Sequence, residues 1–185
     1  MENLTEILFA VENGDVSAPD QLLSHIYDEL RRMAAVKLTQ ERQGQVLQAT
    51  ALVHEVYLRL FKEGEGQHWN SRGHFFSAAS EAMRRILIEQ SRRRLAAKRG
   101  GNIAHQELHD SRICGDMPDE DLIALDEALE QLDQIDKDAG QIVRLRFFGG
   151  LTMTEAAEFV GISERSAYDL WAYARSWLKN KIQDF

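Results

Sequence analysis

An all-α fold is what this 185-residue chain predicts, and three observations carry that expectation. Apolar residues recur at three- and four-residue spacing in one segment after another, while strand-like alternation is nearly absent. Helix formers dominate, and only Pro19 and Pro118 interrupt them. The periodicity lapses over 102–121, where Gly115 and Pro118 stand. The length suits one medium domain or two small ones. The lapse predicts two helical domains, 1–101 and 122–185, joined by an acidic linker at 102–121.

A short first helix is expected from Leu4 to Asn13, stopping at Gly14. Ser17 and Pro19 open a second, with Leu22, Leu23, Ile26, Tyr27, Leu30, Met33 and Leu38 at helical spacing. Glu41–Gln48, with Gly44, reads as a loop, and Thr50 as the cap of a third helix. Leu52, Val53, Val56, Tyr57, Leu60 and Phe61 give that helix a wide apolar face. Lys62–Ser71, with Gly64 and Gly66, is again a loop. A long helix follows over about 71–97, with Phe75, Phe76, Ala79, Met83, Ile86 and Leu87 inward and Gly100-Gly101 ending it. Beyond the linker a smaller helical unit begins near Asp119. Leu122, Leu125, Leu129 and Leu132 form one stripe, and Ile142, Val143, Leu145 and Phe147 a second.

Residues 144–182 read as a helix-turn-helix. Ala156, Ala157, Val160, Ile162, Ala167 and Leu170 are the inward positions. Two helices that cross steeply need a small residue at closest approach, which Ala157 supplies, and a turn residue that tolerates a left-handed backbone, which Gly161 supplies. Thr152-x-x-Glu155 is a capping box for the first helix, and Ser163 can cap the second. The second helix then turns Glu164, Arg165, Ser166, Tyr168 and Asp169 outward, on the face that enters a DNA major groove in this motif.

A net charge of −8 argues against nonspecific nucleic-acid binding, but its distribution is uneven. Arg84, Arg85, Arg92, Arg93, Arg94, Lys98 and Arg99 crowd one segment, opposed only by Glu89. From Glu107 to Asp138 a dozen carboxylates face only Arg112 and Lys137. A basic helix end beside an acidic tract suggests a protein that touches phosphates on one surface and holds its halves apart, or masks that surface.

Other functions find little support. No run of 18 apolar residues exists, so no membrane span is expected. The acidic start MENLTEILFAVENGD does not resemble a signal peptide, and a lone Cys114 fits a reducing, cytoplasmic setting. His105, His109 and Cys114 lack a second cysteine and matched spacing for zinc. His54-Glu55 lacks the second histidine of a metalloprotease helix, because Leu58 stands in its place. There is no P-loop and no Rossmann glycine fingerprint, and the carboxylates of 119–138 are read as dispersed over a solvated helix. No catalysis, cofactor, metal or small-molecule substrate is therefore expected.

Three stretches, in this order and spacing, resemble the extracytoplasmic-function (ECF) group of bacterial sigma-70 factors: LVHEVYLRLF at 52–61, SRGHFFSAASEAMRRILIEQSRRRLAAKRGG at 71–101, and the block 144–182. The resemblance implies a sigma-two-like domain over 1–101, a linker, and a sigma-four-like domain over 122–185. It implies core RNA polymerase and promoter DNA as partners, with an anti-sigma or other regulatory protein as a further one. It places Leu52, Val53, Glu55, Tyr57, Arg59 and Leu60 on the polymerase clamp helices, with Glu55 and Arg59 on the docking face. It assigns capture of a flipped minus-ten base to the loop of Gln67, His68, Trp69 and Asn70, where an aromatic wall stands beside an amide.

It also sets Arg84, Arg85, Arg92, Arg93 and Arg94 beside promoter phosphates, which suit always-charged, fork-shaped guanidinium groups. Minus-thirty-five recognition falls to Ser163, Arg165, Ser166, Tyr168 and Asp169, with Arg175 and Lys179 further along the helix. One departure is visible: members of the group commonly carry basic residues early in this helix, where Tyr168 and Asp169 stand. Asp169 suits a cytosine amino group better than a phosphate. On the residues alone, a stand-alone helix-turn-helix regulator and a helical protein-interaction adaptor remain as alternatives.

Overall fold

The computed structural model describes His25, Leu30 and residues 45–60, 71–99 and 117–183. Among these residues there are six α-helices and no strand: α1 (Gln45–Leu60), α2 (Arg72–Arg99), α3 (Asp119–Ile135), α4 (Lys137–Val143), α5 (Met153–Val160) and α6 (Glu164–Gln183). A π-helical turn, Arg144–Phe148, continues α4. The helix expected at 4–13, the loop at 62–70 and most of the linker lie outside the described residues. Leu30 is helical and fully buried, as the stripe of the second helix requires.

The long helix α2 is the hub. Ser71 caps it, its hydroxyl accepting from the His74 amide at 3.1 Å. One face of α2 buries Phe75, Phe76, Ala79, Met83, Ile86 and Leu87. On one side it meets Leu52, Val53, Val56 and Leu60 of α1; α3, the π turn and α5 also pack against it. The buried residues of all these elements form one continuous core. Each fully buried Phe, Ile or Leu contributes about 1.5–3 kcal/mol relative to exposure, which makes α2 the largest single source of apolar stabilisation. Gly149 lets the π turn approach α2, because a Cβ there would run into the Ser80 hydroxyl and the Leu145 carbonyl.

Two local expectations change, one in α1 and one in the π turn. α1 begins at Gln45, so Thr50 lies inside the helix rather than capping it, and the last residues assigned to the loop at 41–48 are helical. The apolar face of α1 gains from burial against α2, and tertiary packing outweighs the weak helix propensity of an interior threonine. α3 begins at Asp119, where the sequence placed its start, with Asp119, Glu120 and Asp121 placed favourably against the positive end of the helix dipole. Asp136 then ends α3 and caps α4, its carboxylate accepting from the Ala139 amide at 2.9 Å. In the π turn, Phe148 is the fully buried aromatic and Phe147 only half-buried. A π turn takes one more residue than an α turn, which moves the inward face along the sequence to Phe148.

Candidate nucleic-acid interface

The helix-turn-helix is built from short-range signals that all find their partners. Thr152 and Glu155 complete the capping box of α5, the Thr152 hydroxyl accepting from the Glu155 amide at 3.2 Å and the Glu155 carboxylate accepting from the Thr152 amide at 2.8 Å. Gly161 closes α5 at φ 79°, in the left-handed region, and both its amide and that of Ile162 donate to the Ala157 carbonyl. Ala156, Ala157, Ala167 and Ala174 are buried where the helices cross. Ser163 caps α6: its hydroxyl accepts from the Ser166 amide at 3.1 Å and bonds the Ser166 hydroxyl at 2.8 Å. The two serines expected on the DNA face are thus engaged with each other at the helix start.

The outer face of α6 is open. Glu164, Arg165, Ser166, Asp169, Arg175 and Lys179 are exposed, and Tyr168 is 55% exposed. Among the described residues, Arg165, Asp169, Arg175 and Lys179 have no ion pair within the chain. Tyr173, 42% exposed, extends this face by one turn beyond Asp169 and was not singled out by the motif. Its spacing of four from Asp169 is the signal that could have found it. The inner aromatics are covered: Trp171 lies under the Arg146 guanidinium at 5.7 Å, and Trp177 under the Lys181 ammonium at 5.6 Å.

The arginines of α2 are in a different state. Arg84, its side chain only 12% exposed, bonds Asp126 of α3 and Glu81, the latter at 3.0 Å, with Glu130 at 3.8 Å. Arg92 stands 3.7 Å from the other Asp126 oxygen. Arg94 donates from Nε to both Asp119 carboxylate oxygens, at 3.0 and 3.1 Å, and from Nη2 to Oδ1 at 2.5 Å and to the Ser91 hydroxyl at 2.9 Å. Arg85 pairs with Glu81 at 2.8 Å, and Arg93 approaches Glu89 at 4.0 Å while remaining 78% exposed. The five arginines therefore do not present one common surface, since Arg84 and Arg94 turn toward α3. The carboxylates of 119–138 are correspondingly not all solvated, since Asp126 is buried.

Burial pushes the Asp126 carboxyl up, against the pull of Arg84 and with the repulsion of Glu130. Burial works against ionised Glu81 too, but hydrogen bonds and charge from Arg84 and Arg85 outweigh it and hold Glu81 below the usual range. A hydrogen bond from Arg59 is the main reason Glu89 is lowered.

On α1, Leu52, Val53 and Leu60 are core residues. Arg59 bridges Glu55 at 3.3 Å and Glu89 of α2 at 2.7 Å, tying the helices together at the surface. Tyr57 is half-buried, and Leu58, 53% exposed, is an apolar side chain on the outside. Its position off the stripe of Leu52, Val53, Val56 and Leu60 was visible in the sequence. The loop residues His68, Trp69 and Asn70, and His105, His109 and Cys114, lie outside the described residues. Among the described residues no His, Cys, Asp and Glu cluster could hold a metal, and no helix is long and apolar enough to cross a membrane.

An all-helical chain with a complete helix-turn-helix and an open second helix has the features of a DNA-binding regulatory protein. The family model for ECF sigma factors matches residues 1–184, and the chain belongs to that family. It is a sigma factor, a regulatory DNA-binding protein of transcription initiation. No curated protein and no solved structure matches it with significant similarity.

Proposed function

We propose that this sigma factor binds core RNA polymerase and confers promoter specificity through two surfaces: the open face of α6 for the upstream element, and the loop at 67–70 with the α2 arginines for the downstream one. The observation that carries the reading is the exposed face of α6, whose Arg165, Asp169, Arg175 and Lys179 make no ion pair among the described residues, within a fully capped helix-turn-helix. Arg165, Tyr168 and Asp169 contact bases, and Tyr173 extends the contact. Arg175 and Lys179, further along, contact phosphate. Residues 1–101 act as the sigma-two-like part, 102–121 as linker and 122–185 as the sigma-four-like part. An anti-sigma protein or another regulator is a further partner.

Docking on polymerase uses the outer side of α1. Leu58, Glu55, Tyr57 and Arg59 supply it, and Leu52, Val53 and Leu60 hold it in place from the core. Leu58→Glu leaves the core intact and is expected to lower affinity for core enzyme with the melting temperature unchanged.

The test is reconstitution with core enzyme on a library carrying a randomised upstream element. Wild-type holoenzyme should select a defined element. A side chain with two good hydrogen bonds to a base discriminates by about 1–3 kcal/mol. Arg165→Ala should therefore relax one or two base positions, whereas Lys179→Ala should weaken binding to all sequences alike. An unchanged preference in both Arg165→Ala and Tyr168→Ala would remove base reading from α6. No start sites, with no co-elution of chain and core enzyme, would refute the proposal as a whole.

A further inference from the structure

We infer that Asp169 is a specificity-determining residue that acts by exclusion: its carboxylate accepts from the amino group of one cytosine in the upstream element and is repelled by the acceptor atoms of the other bases. The inference rests on the base-reading role proposed for α6.

The exposed side chains of α6 sort into rows at helical spacing. Arg165, Asp169, Ala172 and Ser176 run down the middle of the open face, opposite the buried Ala167, Ala174 and Leu178. Tyr168, Arg175 and Lys179 flank them on one side, and Ser166, Tyr173 and Asn180 on the other. The basic flank suits phosphates, whereas the middle row is the one a helix in the major groove turns toward base edges. An aspartate is short and reaches a base only if the helix comes close. Ser166 and Ala172, three residues before and after Asp169, are both small, so neither holds the helix away.

Nothing in the fold accounts for this carboxylate. Asp169 is exposed and makes no ion pair among the described residues. The only basic residue three or four positions from it is Arg165, which makes no ion pair either. An arginine one turn before an acid is also the less favourable order for such a pair. Asp169 lies in the second turn of α6, past the first turn, where the helix dipole rewards an acid.

The chemistry selects cytosine. In the major groove guanine presents the acceptors N7 and O6, and thymine the acceptor O4, all of which repel a carboxylate. Adenine offers its amino group beside the N7 acceptor. Cytosine offers an amino donor with no acceptor beside it. A carboxylate brought into the groove without a donor gives up water and gains nothing in return. Asp169 therefore acts chiefly by weakening elements that lack the cytosine.

The test uses holoenzyme reconstituted from core enzyme and the full chain, on a library with a randomised upstream element. Wild type should prefer cytosine at one position by about fivefold or more, the lower end of the range for a good base contact. Asp169→Ala should lose that preference because the disfavoured bases gain: initiation from elements with adenine, guanine or thymine there should rise toward that from cytosine. Asp169→Asn should move the preference at the same position to adenine, whose N6 and N7 match a side-chain amide. Both variants should melt with wild type, because the side chain they alter is exposed.

A selected element unchanged at every position in both variants would overturn the inference and leave the proposed function standing. So would an Asp169→Ala holoenzyme weakened equally on all elements, the result for a merely structural role. A wild-type holoenzyme that selects no upstream element would instead refute base reading by α6, and this inference with it.

Discussion

The α2 arginine face and the α6 face are both proposed to contact promoter DNA, and they stand in opposite states. On α6 the outward Arg165, Asp169, Arg175 and Lys179 are exposed and make no ion pair among the described residues, and the groups behind them are satisfied locally by a capping box, a left-handed glycine and a serine cap. On α2 the arginines are engaged, Arg84, Arg92 and Arg94 by carboxylates of α3 distant in sequence. The difference shows that a charge run does not define an available surface. Availability depends on what the rest of the chain folds against it.

The largest effect should come from the apolar end of the covered face. Phe76 is fully buried and stacked, so Phe76→Ala is expected to cost about 3–5 kcal/mol in urea-melt stability. A cost below about 1 kcal/mol would mean that α5 and α2 are not packed in solution, and the contrast between the faces would collapse.

Next comes a pair of arginines. Arg84→Ala strips Asp126 of its main partner in a buried setting and should destabilise by about 1–3 kcal/mol. Arg165→Ala on the open face should stay within about 0.5 kcal/mol while altering promoter choice. Equal stability effects in the two variants would show that Arg84 is no more engaged than Arg165.

Gly161→Ala probes the local scaffold of the open face. An alanine at φ 79° costs about 1–2 kcal/mol, with nothing nearby for the added Cβ to strike. The loss should appear in melting temperature, with base preference unchanged in the folded holoenzyme.

The smallest effect is the pH response, and its sign differs between carboxylates. Glu81 and Glu89 are lowered from 4.5, so they contribute stability above that pH, which is lost as pH falls through their folded values. Asp126 is raised from 3.8, so it favours the fold below that value and loses this contribution as pH rises through its folded value. Urea melts against pH should therefore show wild type falling relative to Asp126→Asn as pH rises above 3.8. They should show both proteins losing stability below pH 4.5. A difference between the two that does not vary with pH would contradict the raised carboxyl.

How much was legible in the sequence follows from the range of the interactions involved. Helical class, the capping box at Thr152 and Glu155, the Gly161 turn and the outward set Arg165, Tyr168 and Asp169 depend on neighbours within a few residues, and the chain alone determined them. Thr50 was misread as a cap because the gain that draws Gln45–Leu60 into one helix comes from α2, not from local propensity. Phe147 was taken for Phe148 because nothing in the spacing announces a π turn. The partners of Arg84 and Arg94, 42 and 25 residues away, could not be read from spacing, since any of a dozen carboxylates would have served. Sequence determined that one segment is basic and another acidic. Only tertiary structure decided that Asp126 meets Arg84 and Asp119 meets Arg94, because the packing of apolar faces sets which charges come together and which are left to the solvent.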